Sequence, residues 1–243
     1  MLLIDKWISE LPNSAFIDKS YRRFIDKTIL EKLPLLQYNE KQWKKLFIPP
    51  PNNNYKNLQL TAPGIYSIGQ PDIVKELLIF IKKQIKEVGL DSNNLTITET
   101  NGGLGGFSSI LLKEFNNLNI VELNPTHFKI IQNNLKTYGF NNKNIMIYEA
   151  DYLDKMFELN QDIIISDPPW GGRDYIKKPS IRLGFDNIDI VEIINKLNSE
   201  NKFTLFIFLA PVNFNFNLFL SKIKSSNIYI QKVRNHNFVC IRK

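Results

Sequence analysis

Residues 95–125 read LTITETNGGLGGFSSILLKEFNNLNIVELNP, and their order decides the fold. Leu95 to Glu99 is a short β-forming run that stops at Asn101-Gly102-Gly103-Leu104-Gly105-Gly106. A helical stretch follows to about Phe115, then a second strand from Asn119 to Leu123. Pro125 opens the next helix and Gly139 closes it, the usual placing of those two residues. A strand that ends in a glycine turn, rises into a helix and returns as a strand belongs to a parallel, doubly wound α/β sheet.

The pattern continues in both directions. Upstream, Ile73, Val74, Leu77, Leu78, Ile81, Ile85 and Val88 recur at helical spacing and predict a helix over Pro71 to Val88, with Gly89 as its C-terminal cap. Downstream, strands are expected at Asn144 to Tyr148, Asp162 to Ser166 and Phe203 to Leu209. The apolar run Ile163-Ile164-Ile165 is what a strand buried on both faces needs. Helices are expected at Ile188 to Leu197 and Phe214 to Ile223. Ile228 to Val233 and Phe238 to Ile241 close the chain as an antiparallel hairpin. Residues 1–60 differ: they read as short basic helices (Asp18 to Leu33, Glu40 to Phe47), followed by a linker or long loop at Pro49 to Asn54. The reading is therefore a helical extension, 1–60, and a sheet domain, 61–243.

Composition sets the outer limits. With 243 residues, 43% hydrophobic and 23% charged, the chain has apolar material enough for a real core. The single Cys240 excludes a disulfide framework and a cysteine-built zinc site. His127 and His236 are too few and too far apart for a metal cluster, so no metal is expected. No apolar run reaches the ~18 residues of a spanning helix, and Asp5 and Lys6 interrupt the first apolar residues. An intracellular protein with no membrane partner is expected, in nucleus or cytoplasm, or in host cytoplasm if viral. A net charge of +7 favours an anionic partner such as nucleic acid. Ile, Asn and Lys make up about a third of the chain, a bias toward A/T-rich codons that lowers the meaning of any single Asn or Lys. Clusters of Gly, Pro and Trp stand out against it.

Two such clusters lie at strand ends, where ligands bind in open α/β sheets. In the first, the glycines allow a tight turn and close approach of a ligand, and the helix behind offers free N–H groups. The third glycine of a dinucleotide fingerprint would fall at Ser108, so a nicotinamide cofactor fits poorly. Glu122, about 20 residues on, suits the two hydroxyls of a ribose. Glu99 would repel a pyrophosphate and suits an ammonium group, and Asp151 is placed to accept from an adenine amine. With Asn101, Gly103 and Gly105, these residues point to S-adenosylmethionine.

The second cluster is Ile163-Ile164-Ile165-Ser166-Asp167-Pro168-Pro169-Trp170-Gly171-Gly172. An exocyclic amine on a base is a poor nucleophile because its lone pair is delocalised into the ring. Asp167 can accept one of its N–H bonds and the Pro168 carbonyl the other, with the consecutive prolines holding that carbonyl rigid. Trp170 can stack on the base, and Gly171 and Gly172 leave room for it. His127 reads as a surface residue, and Cys240 as core rather than reactive.

Asp-Pro-Pro-Trp resembles the amino-methyltransferases of nucleic-acid bases. The longer Pro168-Pro169-Trp170-Gly171-Gly172 with Asp174-Tyr175 resembles the trimethylguanosine synthases, which methylate N2 of the 7-methylguanosine cap of RNA. The likeness runs from about Gly64 to the C-terminus. Gly64-Ile65-Tyr66-Ser67 is similar to that family's Gly-aromatic-aromatic-Ser segment, and Gln70-Pro71-Asp72 to its Thr-Pro-Glu. Glu122-Leu123-Asn124-Pro125, Tyr138-Gly139 and Asp151 also correspond. The family has Ser where Asp167 stands, Asp where Glu99 stands, and Cys where Gly102 stands. Asp at that first position is usual in adenine-N6 enzymes, but RNA enzymes of that kind with Asp-Pro-Pro-Trp place the motif ahead of the cofactor loop. The resemblance implies a Rossmann-like methyltransferase sheet, S-adenosylmethionine as cofactor with Tyr66 among its contacts, and capped RNA as partner of a monomer. Arg173, Lys177, Lys178 and Arg182 would then meet the cap triphosphate, with Lys44 and Lys45 as weaker candidates. Two other readings stay open: adenine-N6 or other base amino-methylation of RNA or DNA, and a non-catalytic cap- or RNA-binding subunit.

Overall fold

A computed structural model describes residues 33–186 and 188–243. The expected helix at Asp18 to Leu33 lies outside the described residues, Leu33 excepted. The chain divides into two compact units, which meet in sequence between Asp162 and Ile163.

The unit that ends at Asp162 opens with α1 (Glu40–Leu46), capped by the Asn39 side chain, which accepts from the Gln42 N–H. Then come α2 (Gly64–Ser67), α3 (Pro71–Glu87), β1 (Thr96–Glu99), α4 (Gly106–Glu114), β2 (Asn117–Glu122), α5 (Pro125–Tyr138), β3 (Asn144–Glu149) and α6 (Tyr152–Lys155). The strands run parallel in the order β3-β2-β1. Most of the apolar face read for α3 is buried: Ile73, Val74, Leu77, Ile81 and Ile85 are 5% exposed or less, while Leu78 and Val88 are half-buried. Gly89 takes a φ of +70° just beyond the helix, as its capping role requires.

The stretch read as a linker or long loop at Pro49 to Asn54 is a packed loop. It forms two 3-10 turns, Pro51–Asn53 and Tyr55–Asn57, which deliver Tyr55 and Leu58 into the core. The indole N–H of Trp43 donates to Leu58 O (2.7 Å), and the Tyr138 hydroxyl donates to Ile48 O (3.1 Å). Proline and asparagine here mark turns within a packed segment, since both also suit tight turns.

The unit from Ile163 to Lys243 carries β4 (Ile163–Ser166), a two-strand hairpin of β5 (Gly184–Phe185) and β6 (Ile188–Asp189), α7 (Ile190–Ser199), β7 (Leu205–Pro211), α8 (Phe216–Lys222), β8 (Ile228–Val233) and β9 (His236–Arg242). β4 lies parallel to β7; β9 pairs antiparallel with both β7 and β8. The helix expected from Ile188 begins two residues later, because Ile188 and Asp189 pair with Phe185 and Gly184 first. β7 is buried at every position, which accounts for its unbroken apolar run. Cys240 is fully buried in β9, where burial pushes its thiol up to about 12. Among the described residues no helix is long and apolar enough to cross a membrane.

Candidate active site

The glycine loop follows β1 and opens α4. Gly103 and Gly105 sit at φ +56° and +82°, conformations that a side chain would strain. A Cβ added to Gly103 would meet nothing within 4 Å, so the loop presents bare backbone there. A Cβ on Gly64 of α2 would lie 2.3 Å from Leu104 Cδ1, so α2 packs directly on the loop. Tyr66, one turn along α2, is 63% exposed.

Buried polar side chains tie this loop down. The Glu122 carboxylate, at the end of β2, accepts from Gly103 N–H (2.7 Å) on one oxygen and Asn124 N–H (2.7 Å) on the other. Burial pushes its carboxyl up to about 7, against the pull of those backbone donors. Asn134 of α5 is fully buried. It accepts from Gln59 N–H (2.8 Å) and donates to Gln59 O (3.1 Å) and Leu104 O (3.0 Å). Thr61 Oγ1 accepts from Gly64 N–H (3.1 Å) and lies 3.0 Å from His127 Nε2. His127 was expected on the surface; it is half-buried instead, and burial lowers its ring to about 4, so it stays neutral. Asn134 and Thr61, which sequence reasoning passed over, and His127, which it placed on the surface, thus hold segment 59–64 on the glycine loop.

The remaining cofactor candidates divide. Glu99 is buried at the end of β1 and accepts a hydrogen bond from Ser108 of α4. Asn101 is half-buried on the loop, where its Oδ1 accepts from the Thr100 hydroxyl (2.7 Å). Asp151 caps α6, accepting from Leu153 N–H (3.0 Å).

The second loop leaves β4 in the other unit. Asp167 follows directly on the strand, and burial pushes its carboxyl up to about 7. The indole N–H of Trp170 approaches that carboxyl and partly offsets the rise, without closing a hydrogen bond of ordinary geometry. Pro168 is buried. Gly171 and Gly172 take φ values of +94° and +76°, a pair of turns open in practice only to glycine. The Trp170 ring has Tyr175 on it edge-on (centroids 5.0 Å, 78°) and His236 tilted against it (5.3 Å, 55°).

The expected phosphate contacts also divide. Lys177 and Lys178 are exposed on and beside the 3-10 turn Arg173–Lys177, and Lys177 pairs with Asp174 (2.7 Å). Arg182 is committed elsewhere: its Nε (2.6 Å) and Nη2 (2.5 Å) both grip Asp189, which is buried. That pairing holds Arg182 beside a buried carboxylate, and only its remaining donors are left for a phosphate. The Arg173 side chain lies outside the described residues. Lys44 is paired with Glu40 (2.6 Å) on α1.

Residues 95–236 match the family of RNA cap guanine-N2 methyltransferases. An uncharacterized protein of Acanthamoeba polyphaga mimivirus is 31% identical over 165 residues, which cover 67% of this chain; the match spans 64% of that relative's length, just under two thirds. Among solved structures, a protein of Porphyromonas gingivalis aligns with 83% of this chain and 47% of its own (TM-score 0.57, 12% identity). The T. thermophilus 16S rRNA N2 methyltransferase, in complex with AdoMet and guanosine, aligns with 76% of this chain and 43% of its own (TM-score 0.51, 13% identity). These two share its fold, a Rossmann-like methyltransferase fold. The family match takes in both loops and more than half of the sequence, and the chain belongs to the RNA cap guanine-N2 methyltransferases.

Proposed function

We propose that this methyltransferase uses S-adenosylmethionine to methylate N2 of 7-methylguanosine at the 5′ cap of RNA. The observation that carries the reading is the loop after β4: a half-buried acid at Asp167 and an indole at Trp170 braced by two rings. The family match over residues 95–236 supports it.

A 7-methylguanine base is cationic. Stacked on Trp170 it gains a cation–π contribution of about 1–2 kcal/mol when desolvated. Asp167 titrates near neutrality when empty; a cationic base beside it favours the carboxylate, which accepts from the N2 amine. The Pro168 carbonyl takes the second N–H, so the amine is drawn out of conjugation. Asp167 also accepts the proton that the methylated amine must lose. Position carries most of the rate, so no nucleophilic side chain is required. The exposed Lys178, and Lys177 on exchange of its Asp174 partner, would meet the triphosphate.

The bare backbone at Gly103 and the Glu122 carboxylate fit a cofactor with a ribose diol. Both Glu122 oxygens hold a backbone N–H and keep a second lone pair for a hydroxyl. Asp151 would take the adenine amine, with Asn101 and Tyr66 beside the loop. S-adenosylmethionine, when bound, supplies a methyl group on a positively charged sulfur. Glu99 contributes from below, tying the first helical turn of α4 to β1 through Ser108.

Mass spectrometry of the product tests the reading. Purified protein is incubated with S-adenosylmethionine and, separately, m7GTP, GTP and an adenine-containing RNA. Methyl groups on N2 of m7GTP alone are expected. Methylation only at adenine N6, or equal use of GTP, would overturn it.

A further inference from the structure

Asn213 has no part in the chemistry above, yet the loop after β4 hangs on it. It follows β7 and is 7% exposed. Its Nδ2 donates to the carbonyl oxygens of Tyr175 (2.8 Å) and Lys178 (2.9 Å), two points on the turn that trails Trp170. Its own carbonyl accepts from Ile181 N–H (2.9 Å), and Asn215 N–H donates back to Ile181 O (2.8 Å). Residues 175 to 181 are thereby fastened to the strand end. The same strand end sets the other ring: His236 pairs in register with Pro211, and Asn237 Nδ2 donates to Pro211 O (3.2 Å). Segment Pro211–Asn213 is thus the common support of both rings that flank Trp170.

The choice of residue is specific. Two carbonyl oxygens converge on one group, and a primary amide presents two N–H donors from one planar nitrogen. Aspartate has the same shape but offers only acceptors when ionised. Among the described residues the amide oxygen of Asn213 is buried without a hydrogen-bond partner, a cost set against the two bonds its Nδ2 makes. A residue kept at such a cost has a task beyond filling space.

We infer that Asn213 is the positioning residue for base recognition: by pinning the Tyr175 turn it fixes the plane of the Trp170 ring between Tyr175 and His236. The inference rests on the reading that Trp170 stacks on the substrate base, but its first test does not. The chain is labelled with 5-fluorotryptophan, and the Trp170 resonance is assigned by its loss in Trp170→Phe. In Asn213→Ala without ligand that resonance is expected to shift and broaden, while that of Trp43, in the other unit, holds still. With m7GTP, KM is expected to rise tenfold or more with kcat changed less, and affinity for S-adenosylmethionine to stay within twofold. Asn213→Asp should behave like the alanine variant, and His236→Phe should keep most of the m7GTP affinity that His236→Ala loses. Should Asn213→Ala not fold, Tyr175→Leu removes the same ring from a half-buried turn and should reproduce both effects. An unmoved Trp170 resonance in a folded Asn213→Ala, or in Tyr175→Leu, overturns the inference. Failure of wild-type protein to bind m7GTP overturns the cap reading alone, because the resonance test needs no ligand.

Discussion

The loops after β1 and β4 are both short, glycine-bearing turns at the ends of buried strands, and they are held in contrasting ways. Around the first, buried polar side chains do the holding: Glu122 takes two backbone N–H groups, and Asn134 makes three hydrogen bonds to Gln59 and Leu104. Around the second, rings do most of it. Tyr175 and His236 lie against Trp170, and one amide, Asn213, fastens the turn that carries Tyr175. Hydrogen-bonded amides fix backbone positions, which suits a loop that meets its ligand through bare backbone. Stacked rings fix the plane of another ring, which suits a loop that meets its ligand through a face. The contrast teaches that the two loops should fail differently when their supports are removed.

The largest effect is expected in the first region. Asn134→Ala takes the partner from two carbonyls and an N–H, of which Leu104 O is buried and the Gln59 pair half-buried, at about 1 kcal/mol apiece. A loss near 3 kcal/mol in denaturant unfolding is expected, with S-adenosylmethionine affinity down at least tenfold. Unchanged unfolding would show that the polar network is not what holds the glycine loop.

Arg182→Ala comes next and tests whether that arginine serves the ion pair or the phosphates. It strands the buried Asp189 carboxylate, so a loss of about 2–3 kcal/mol is expected, below the full cost of a wholly buried pair because Arg182 is a quarter exposed. The exposed Lys178→Ala should leave stability unchanged and raise KM for m7GTP several-fold. If Arg182→Ala instead kept full stability and weakened only m7GTP, the ion pair would be incidental and the arginine a phosphate ligand after all.

Asp167→Asn has a smaller effect that depends on pH. Folding raises this carboxyl from 3.8 to about 7, so the folded state holds a proton that the unfolded state gives up. Wild-type stability is therefore full below about 4, falls as pH rises toward 7, and stays low above it. The Asn variant does not titrate, so its advantage should be near zero at pH 4 and reach about 2 kcal/mol at pH 8. That figure discounts the ~1.4 kcal/mol per pH unit of a closed site, because Asp167 is only half-buried. Methyl transfer should fall in the same variant. Parallel melting curves of the two proteins across pH 4 to 8 would contradict the buried-acid description.

The elements of both regions were legible because their signals are local. Helical spacing marks α3, an unbroken apolar run marks β4 and β7, and glycine or proline clusters mark both loops. The supports were not legible, for reasons particular to each. Asn134 lies 75 residues from Gln59 and is one asparagine in a chain rich in them, so composition hides it. Arg182 and Asp189 meet only because β5 and β6 fold back on each other through Asp186, at φ +46°. His236 reaches Trp170 through the antiparallel register of β9 on β7, which no spacing in the sequence encodes. The Pro-Asn stretch before Leu58 shows another limit: the local signal marks a linker or loop, and only the structure shows that its turns pack Tyr55 and Leu58 into the core.

The division of labour between the two loops is tested most directly on Trp170→Ala, with m7GTP and S-adenosylmethionine titrated into one folded sample by calorimetry. Base–aromatic stacking is worth about 1–3 kcal/mol, so affinity for m7GTP should fall roughly ten- to a hundredfold. Affinity for S-adenosylmethionine should stay within twofold and the melting temperature within a few degrees, because the cofactor is assigned to Gly103, Glu122 and their neighbours. Unchanged m7GTP affinity in the folded variant, or loss of both ligands together with the melting transition, would contradict the account.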